Sequence, residues 1–405
     1  MRFELQMALR FLKEGRMQTA LILAGISTGV GVIIFISALI GGLQESIIDR
    51  TLGTQAHIVL RPPEEEARPQ LDRENETILE HIQRPAQRLR SILGWPRLLT
   101  DLRRRPEVTA ASPTVAGSAF ALRGTANRSV VLRGVDPESY SGILDLSTKL
   151  TEGMFDLTGT HIVVGVELAK ELGLSVGDTL RLTAPENRSE VFTISGIFNV
   201  GNKDLNLRWV FISLREGQTL MNLSGGVSTV EVKVREIFSA EKEAQQIRAA
   251  TGLKADSWMT LNSELLIGLR GQSSSSVMIQ FFVIVAVVLG IASVLVVSVI
   301  QKSRQIGILR AFGTRREQVL RIFLIQGGIL GLVGSLGGII LGTFLALFFQ
   351  NLVSNQDGTP TFPVALTAAL YARSVMVALF TGLVAAWLPA RRAADLDPAV
   401  AIRYE

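Results

Sequence analysis

Four stretches of this chain carry no Asp, Glu, Lys or Arg: residues 17–44, 271–301, 322–350 and 374–390. A helix needs about 20 residues to cross the hydrocarbon core of a bilayer, and the first three runs are longer than that. The fourth has only 17 residues, but Tyr371 and Arg373 at its start and Trp387 near its end suit the two interfaces. The expectation is an α-helical membrane protein with four transmembrane helices. The first run is too long for the apolar core of a secretory signal, about 7–15 residues, so it is read as a retained anchor.

Flanking charge orients the helices. Arg2, Arg10, Lys13 and Arg16 precede the first run; Arg391, Arg392 and Arg403 follow the last; the 351–363 loop has neither Lys nor Arg. Cations stay on the cytoplasmic side. Both termini are therefore expected inside, and residues 45–270 outside as a large extracytoplasmic domain between helices 1 and 2. Residues 43–276 hold 27 Lys and Arg against 29 Asp and Glu, and the remainder 14 against 7. The net charge of +5 thus comes from the membrane flanks. That distribution excludes a nucleic-acid-binding face.

Composition divides the chain further. Residues 1–16 space Phe3, Leu5, Ala8, Leu9 and Leu12 at helical intervals between basic residues, as an amphipathic helix on a membrane surface would. Helix 1 (17–44) is expected to run on as a stalk. Within 45–270 the pattern is α+β: strands at AHIVL (56–60), SVVLRGV (129–135), HIVVG (161–165), EVFTISGIF (190–198) and STVEVKV (228–234). The alternating Val230, Val232 and Val234 read as a half-buried strand. SAEKEAQQIRAATG (239–252) reads as a helix with a Ser cap and a terminal Gly. Residues 62–105 are rich in Pro, Glu and Arg and read as an insertion or mobile lobe, with short helices near 73–84 and 86–93. The remaining boundaries are helix 2 at 271–301, a basic link at 302–321, helix 3 at 322–350, an outer loop at 351–363, helix 4 at 370–390 and a tail at 391–405.

Residues for catalysis are hard to find. There is no G-x-x-x-x-G-K-[ST] phosphate loop and no G-x-S-x-G elbow. His57, His81 and His161 are scattered, which gives no reason to expect a metal, and the chain has no Cys. A non-catalytic subunit is expected, with no cofactor of its own.

Two features carry more information. Gly327, Gly331, Gly334, Gly338 and Gly342 recur at steps of three or four, and Gly25 and Gly29 make a shorter pair on helix 1. Such stripes let helices approach closely in lipid, either within one chain or across a dimer. The link between helices 2 and 3, KSRQIGILRAFGTRREQVLRIF, is strongly basic yet carries Ile306, Leu309 and Phe312 before a break at Gly313. An apolar stripe on such a link calls for a partner groove, with Arg304, Arg310 and Arg315 to orient it.

QIGILRAFGTRREQVLRIFLIQGGILGLVGSLGGIILG (305–342) resembles the motif of the FtsX-like, MacB-like (type VII) ABC-transporter permeases. PARRAADLDPAVAIRYE (389–405) resembles their tail. GISTGVGVIIFISALIGGL, TLGTQAHIVL, VVLRGVDP, VVGVELAKELGLSVGDTLRL and SWMTLNSELL look most like the lipoprotein-releasing permeases LolC and LolE. The resemblance implies that the link is a coupling helix seated on a separate ABC ATPase. Two copies of that ATPase would bind ATP and Mg. It also implies a dimer with a second permease copy or a homologous one, contact with membrane lipid, and a periplasmic carrier or adaptor. Mechanotransmission would then extract or export a lipidated or lipophilic substrate at the periplasmic side of the bacterial inner membrane. Efflux of a drug, peptide or toxin, and non-transporting control of cell-wall hydrolases, are the alternatives. The chain departs from the carrier-recruiting pattern in having only PENRS (185–189) where a Pro-rich hook would stand.

Overall fold

The computed structural model describes residues 2–63, 90–352 and 363–396. It divides into two compact units, Met1–Ile48 with Ile267–Glu405, and Asp49–Leu266.

Among the described residues, four helices are long and apolar enough to span a membrane: Arg16–Leu52, Ser263–Gln301, Arg316–Leu352 and Ala368–Ala394, lying for the most part in the first unit. These are membrane helices 1 to 4. An N-terminal helix, Arg2–Glu14, precedes them, and a link helix, Ser303–Ala311, joins the second to the third. The N-terminal helix turns Ala8, Phe11 and Leu12 inward and leaves Phe3, Leu5 and Leu9 exposed. Membrane helix 1 runs unbroken past Glu45, and membrane helix 2 passes through Ser273–Ser276 without a hinge. Polar side chains tie these two together. Gln18 Nε2 donates to Gln301 Oε1 at 2.6 Å, Gln280 Nε2 to Ser37 Oγ at 3.1 Å, and Gln44 Nε2 to Ser273 Oγ at 2.9 Å. Membrane helix 4 begins before and ends after the 370–390 expected. It takes Arg373 inside, with Thr367 Oγ1 accepting from Leu370 N–H as its cap.

The second unit is built on ten strands among the described residues: β1 Ile58–Arg61, β2 Val108–Arg123, β3 Ala126–Val135, β4 Leu150–Gly153, β5 His161–Gly165, β6 Thr179–Thr183, β7 Ser189–Phe198, β8 Trp209–Ser213, β9 Thr229–Val234 and β10 Lys254–Ser257. β2 has 16 residues and serves two assemblies. Its first half pairs with β9, continuing the open sheet β10–β1–β9–β2. Its second half pairs with β3 on one edge and β6 on the other. Pairing then runs β2–β3–β8–β5–β7–β6 and back to β2, so six strands close on themselves. Tyr140, Phe198, Trp209 and Phe211 fill part of the core, ring on ring at 5.4–5.8 Å.

Several expectations change. β9 is not half-buried: it lies between β1 and β2, and Glu231 is only 6% exposed. Glu231 pairs with Arg133 of β3, whose guanidinium sits 4.5 Å over the Trp209 ring. The partner comes from 98 residues away, so local alternation could not reveal it. Ser239 does stand at the N-cap of the helix Ala240–Thr251, but it also ends a 3₁₀ turn, and its hydroxyl donates to Glu236 O instead of accepting from the first turn. Gly252 does close that helix, with φ +68°. The helix expected at 73–84 lies outside the described residues, as does the first half of that at 86–93. Residues 90–93 are not helical, since Ile92 bridges to Val227. A helix follows at Trp95–Arg103, burying Leu99 and Leu102. This end of the 62–105 stretch is part of the core, because its apolar residues sit at helical spacing behind a Pro at the first turn.

Candidate functional site

The link helix ends in a Schellman turn. Gly313 has φ +94°, its N–H donates to Arg310 O, and Thr314 N–H donates to Leu309 O. A side chain at that φ would be strained. Gln318 Oε1 then accepts from Arg315 N–H at 2.9 Å, capping membrane helix 3. The sharp reversal is thus written in the sequence by Gly313 and Gln318.

The helix places its residues on two faces. Ile306 is 1% exposed, in a cluster with Ala8, Phe11, Val319, Phe323 and Ala390; Leu309 packs partly against that cluster. Phe312 is 87% exposed and Ile308 41%. Arg304, Gln305, Ala311 and Arg315 are exposed beside them. The expectation of one outward apolar face made of Ile306, Leu309 and Phe312 is therefore corrected. At 3.6 residues per turn, steps of three drift by about 60° each, which sets Ile306 roughly 120° from Phe312. Ile308, four residues before Phe312, shares its side, and that spacing was the available signal. Arg310 also points inward, donating to Leu396 O, and Arg316 lies 3.7 Å from Asp395.

The glycines lie at contacts within the chain. A Cβ on Gly327 would meet Ala386 and Gly382 O at 2.5 Å, and one on Gly331 would meet Ala378 O at 2.6 Å, both on membrane helix 4. Gly334 and Gly338 face Ile26 and Val30 of membrane helix 1 at 2.5 Å, and Gly342 faces Gly31 O at 2.8 Å. Ser27 Oγ donates to Gly334 O at 3.0 Å across that seam. Gly29 meets Val287 of membrane helix 2 at 2.5 Å, whereas Gly25 has nothing within 4 Å. Gly31 and Gly382, which complete the seams, stand outside the repeating stripe and went unread. Among the described residues no three His, Asp or Glu side chains come together as a metal cluster.

The described residues thus hold four membrane helices, a helical link with an outward apolar face and an α+β domain after the first helix. The profile of the MacB-like periplasmic core domain matches residues 19–250, and that of the FtsX-like permease C-terminal region matches 277–398. The chain belongs to this MacB-like, FtsX-like family of type VII ABC permeases, multi-pass proteins of the inner membrane that work with an ATPase. Its large domain, between helices 1 and 2, is periplasmic.

Among curated relatives, the lipoprotein-releasing system transmembrane protein LolC of Xylella fastidiosa is 26% identical over 94% of this chain and 92% of its own length. LolC of Neisseria meningitidis is 24% identical over 96% and 94%. The macrolide export ATP-binding/permease protein MacB of Salmonella paratyphi A is 25% identical over 76% of this chain and 48% of its own. The solved periplasmic region of MacB from Actinobacillus actinomycetemcomitans aligns over 54% of this chain and 95% of its own, at 12% identity and a TM-score of 0.34.

Proposed function

We propose that this chain is the permease of a lipoprotein-release-like ABC transporter, extracting a lipidated or lipophilic substrate at the periplasmic side by mechanotransmission. Its partners are two copies of a cytoplasmic ATPase, which bind ATP and Mg, and a second permease copy or homologue. The end-to-end similarity to LolC carries the choice of substrate: it spans more than nine-tenths of both chains, against about half of MacB. Export of a drug or peptide with an adaptor is the second reading. The MacB core profile and the short PENRS turn in place of a carrier-recruiting hook favour it.

The coupling role rests on the exposed side of the link. Phe312 and Ile308 form the apolar centre, and Arg304 and Arg315 the rim. Burying one such side chain in a partner groove is worth about 1.5–3 kcal/mol, so its loss weakens docking about tenfold or more. Rim arginines govern association rate more than affinity. Phe312→Asp and Ile308→Asp should therefore release the ATPase during purification, while Arg315→Ala keeps it. Retention of the ATPase by both acidic variants would rule this face out. For substrate, spheroplasts or proteoliposomes loaded with a triacylated lipoprotein should release it on ATP addition. Release of a macrolide but no lipoprotein would favour the second reading.

A further inference from the structure

The joint between membrane helix 2 and the link helix is a single residue, Lys302, with φ −100° and ψ 7°. Its side chain turns inward and is only 10% exposed. Nζ donates to Phe11 O at 3.0 Å, lies 3.5 Å from Glu14 Oε2, and sits 4.4 Å over the Phe11 ring. Phe11 O belongs to the last turn of the N-terminal helix, at the negative end of its dipole, and also accepts from Gly15 N–H at 3.3 Å, so Lys302 takes up its second lone pair. The carboxylate and the aromatic face add to that attraction. Glu14 is itself held by Arg10 Nε at 2.9 Å. Burial pushes the Lys302 ammonium toward losing its proton, and Glu14 opposes this. Phe11 in turn meets the Phe323 ring of membrane helix 3 at 6.1 Å.

Toward the N-terminal helix and membrane helices 3 and 4 the link helix otherwise makes apolar contacts through Ile306 and Leu309, and its other inward cation, Arg310, reaches Leu396 O at the opposite end of the helix. Apolar contact is non-directional and lets a helix roll or slide. An ammonium with three donors aimed at fixed acceptors does not. We infer that Lys302 is a positioning residue: its cation locks the link helix to the N-terminal helix, so that a push on the Phe312 face moves both as one body into the membrane helices. This rests on the coupling reading above.

The inference separates binding of the ATPase from transmission. Losing a hydrogen bond to a charged group is worth about tenfold in a coupled equilibrium. Lys302→Met should therefore keep the ATPase bound yet lower permease-dependent stimulation of ATP hydrolysis about tenfold, while Lys302→Arg retains it. Because the chain has no Cys, Lys302→Cys creates one thiol. Before the ATPase is added, it can be capped with ethylammonium methanethiosulfonate or with the neutral propyl reagent. The cationic adduct should restore stimulation and the neutral one should not. Full stimulation in Lys302→Met, loss of its bound ATPase, failure of Lys302→Met to accumulate in the membrane, or equal rescue by the neutral adduct would each overturn the inference. Phe312→Asp and Ile308→Asp run alongside test docking separately. If both keep the ATPase, the coupling reading fails whatever Lys302 does.

Discussion

At the scale of single residues, the seams make the sharpest forecast. A Cβ at Gly334 or Gly338 has no room, since Ile26 and Val30 stand 2.5 Å from where it would be. Overpacking of this kind costs about 1–3 kcal/mol. Gly334→Leu and Gly338→Leu should lower the melting temperature in detergent, while Ile340→Leu, on an exposed position, and Gly25→Leu, with open space, should not. His57 offers a pH test. Burial first, and then Lys233, hold its imidazole below the ordinary value, so folding favours the neutral ring. As pH falls, the unfolded chain takes up the proton first, near about 6.5. The stability His57 contributes is complete above that pH and is lost below it. Between pH 7.5 and 5 the wild-type chain should thus lose more thermal stability than His57→Gln. Equal losses would remove His57 from the account. The glycine stripe was legible because small residues at helical steps have one geometric meaning. The openness around Gly25 was not, since which helix faces it depends on contacts hundreds of residues apart.

Among elements, the link helix shows how a correct helix can carry a misread face. Its limits, its Gly313 break and its basic character could be read locally. Which side it buries depends on the N-terminal helix and on Ala390 and Ala393 of membrane helix 4, and nothing nearby in sequence announces them. Ile306→Ala should therefore act on the fold, costing about 2–5 kcal/mol as a large-to-small core change. Phe312→Ala should leave the melting temperature of the isolated permease unchanged. Differential scanning fluorimetry without the ATPase reads both, and a shift for Phe312→Ala alone would invert the assignment of faces. β9 teaches the same lesson. Its strand character was evident from Val230, Val232 and Val234, but the burial of Glu231 depends on Arg133.

For the whole molecule, four uncharged runs determined the membrane helices, and the strand-rich segment between the first two marked an α+β domain. The closed six-strand circuit could not be read, because its pairings join β2 to β6 and β3 to β8 across long separations. Orientation is open to direct test in a Cys-free chain. Thr148→Cys should react with an impermeant maleimide in intact spheroplasts, and Arg315→Cys only after permeabilisation. The opposite pattern would invert the topology. Membrane helix 2 adds a mechanical consequence. Its 39 residues run without a break through the serines at 273–276, so at 1.5 Å per residue it is a rod about 58 Å long. Rotated by about 5° around its Lys302 end, such a rod carries its far end roughly 5 Å. Under the mechanotransmission proposed above, a slight turn at the link would become a stroke as large as one helical pitch.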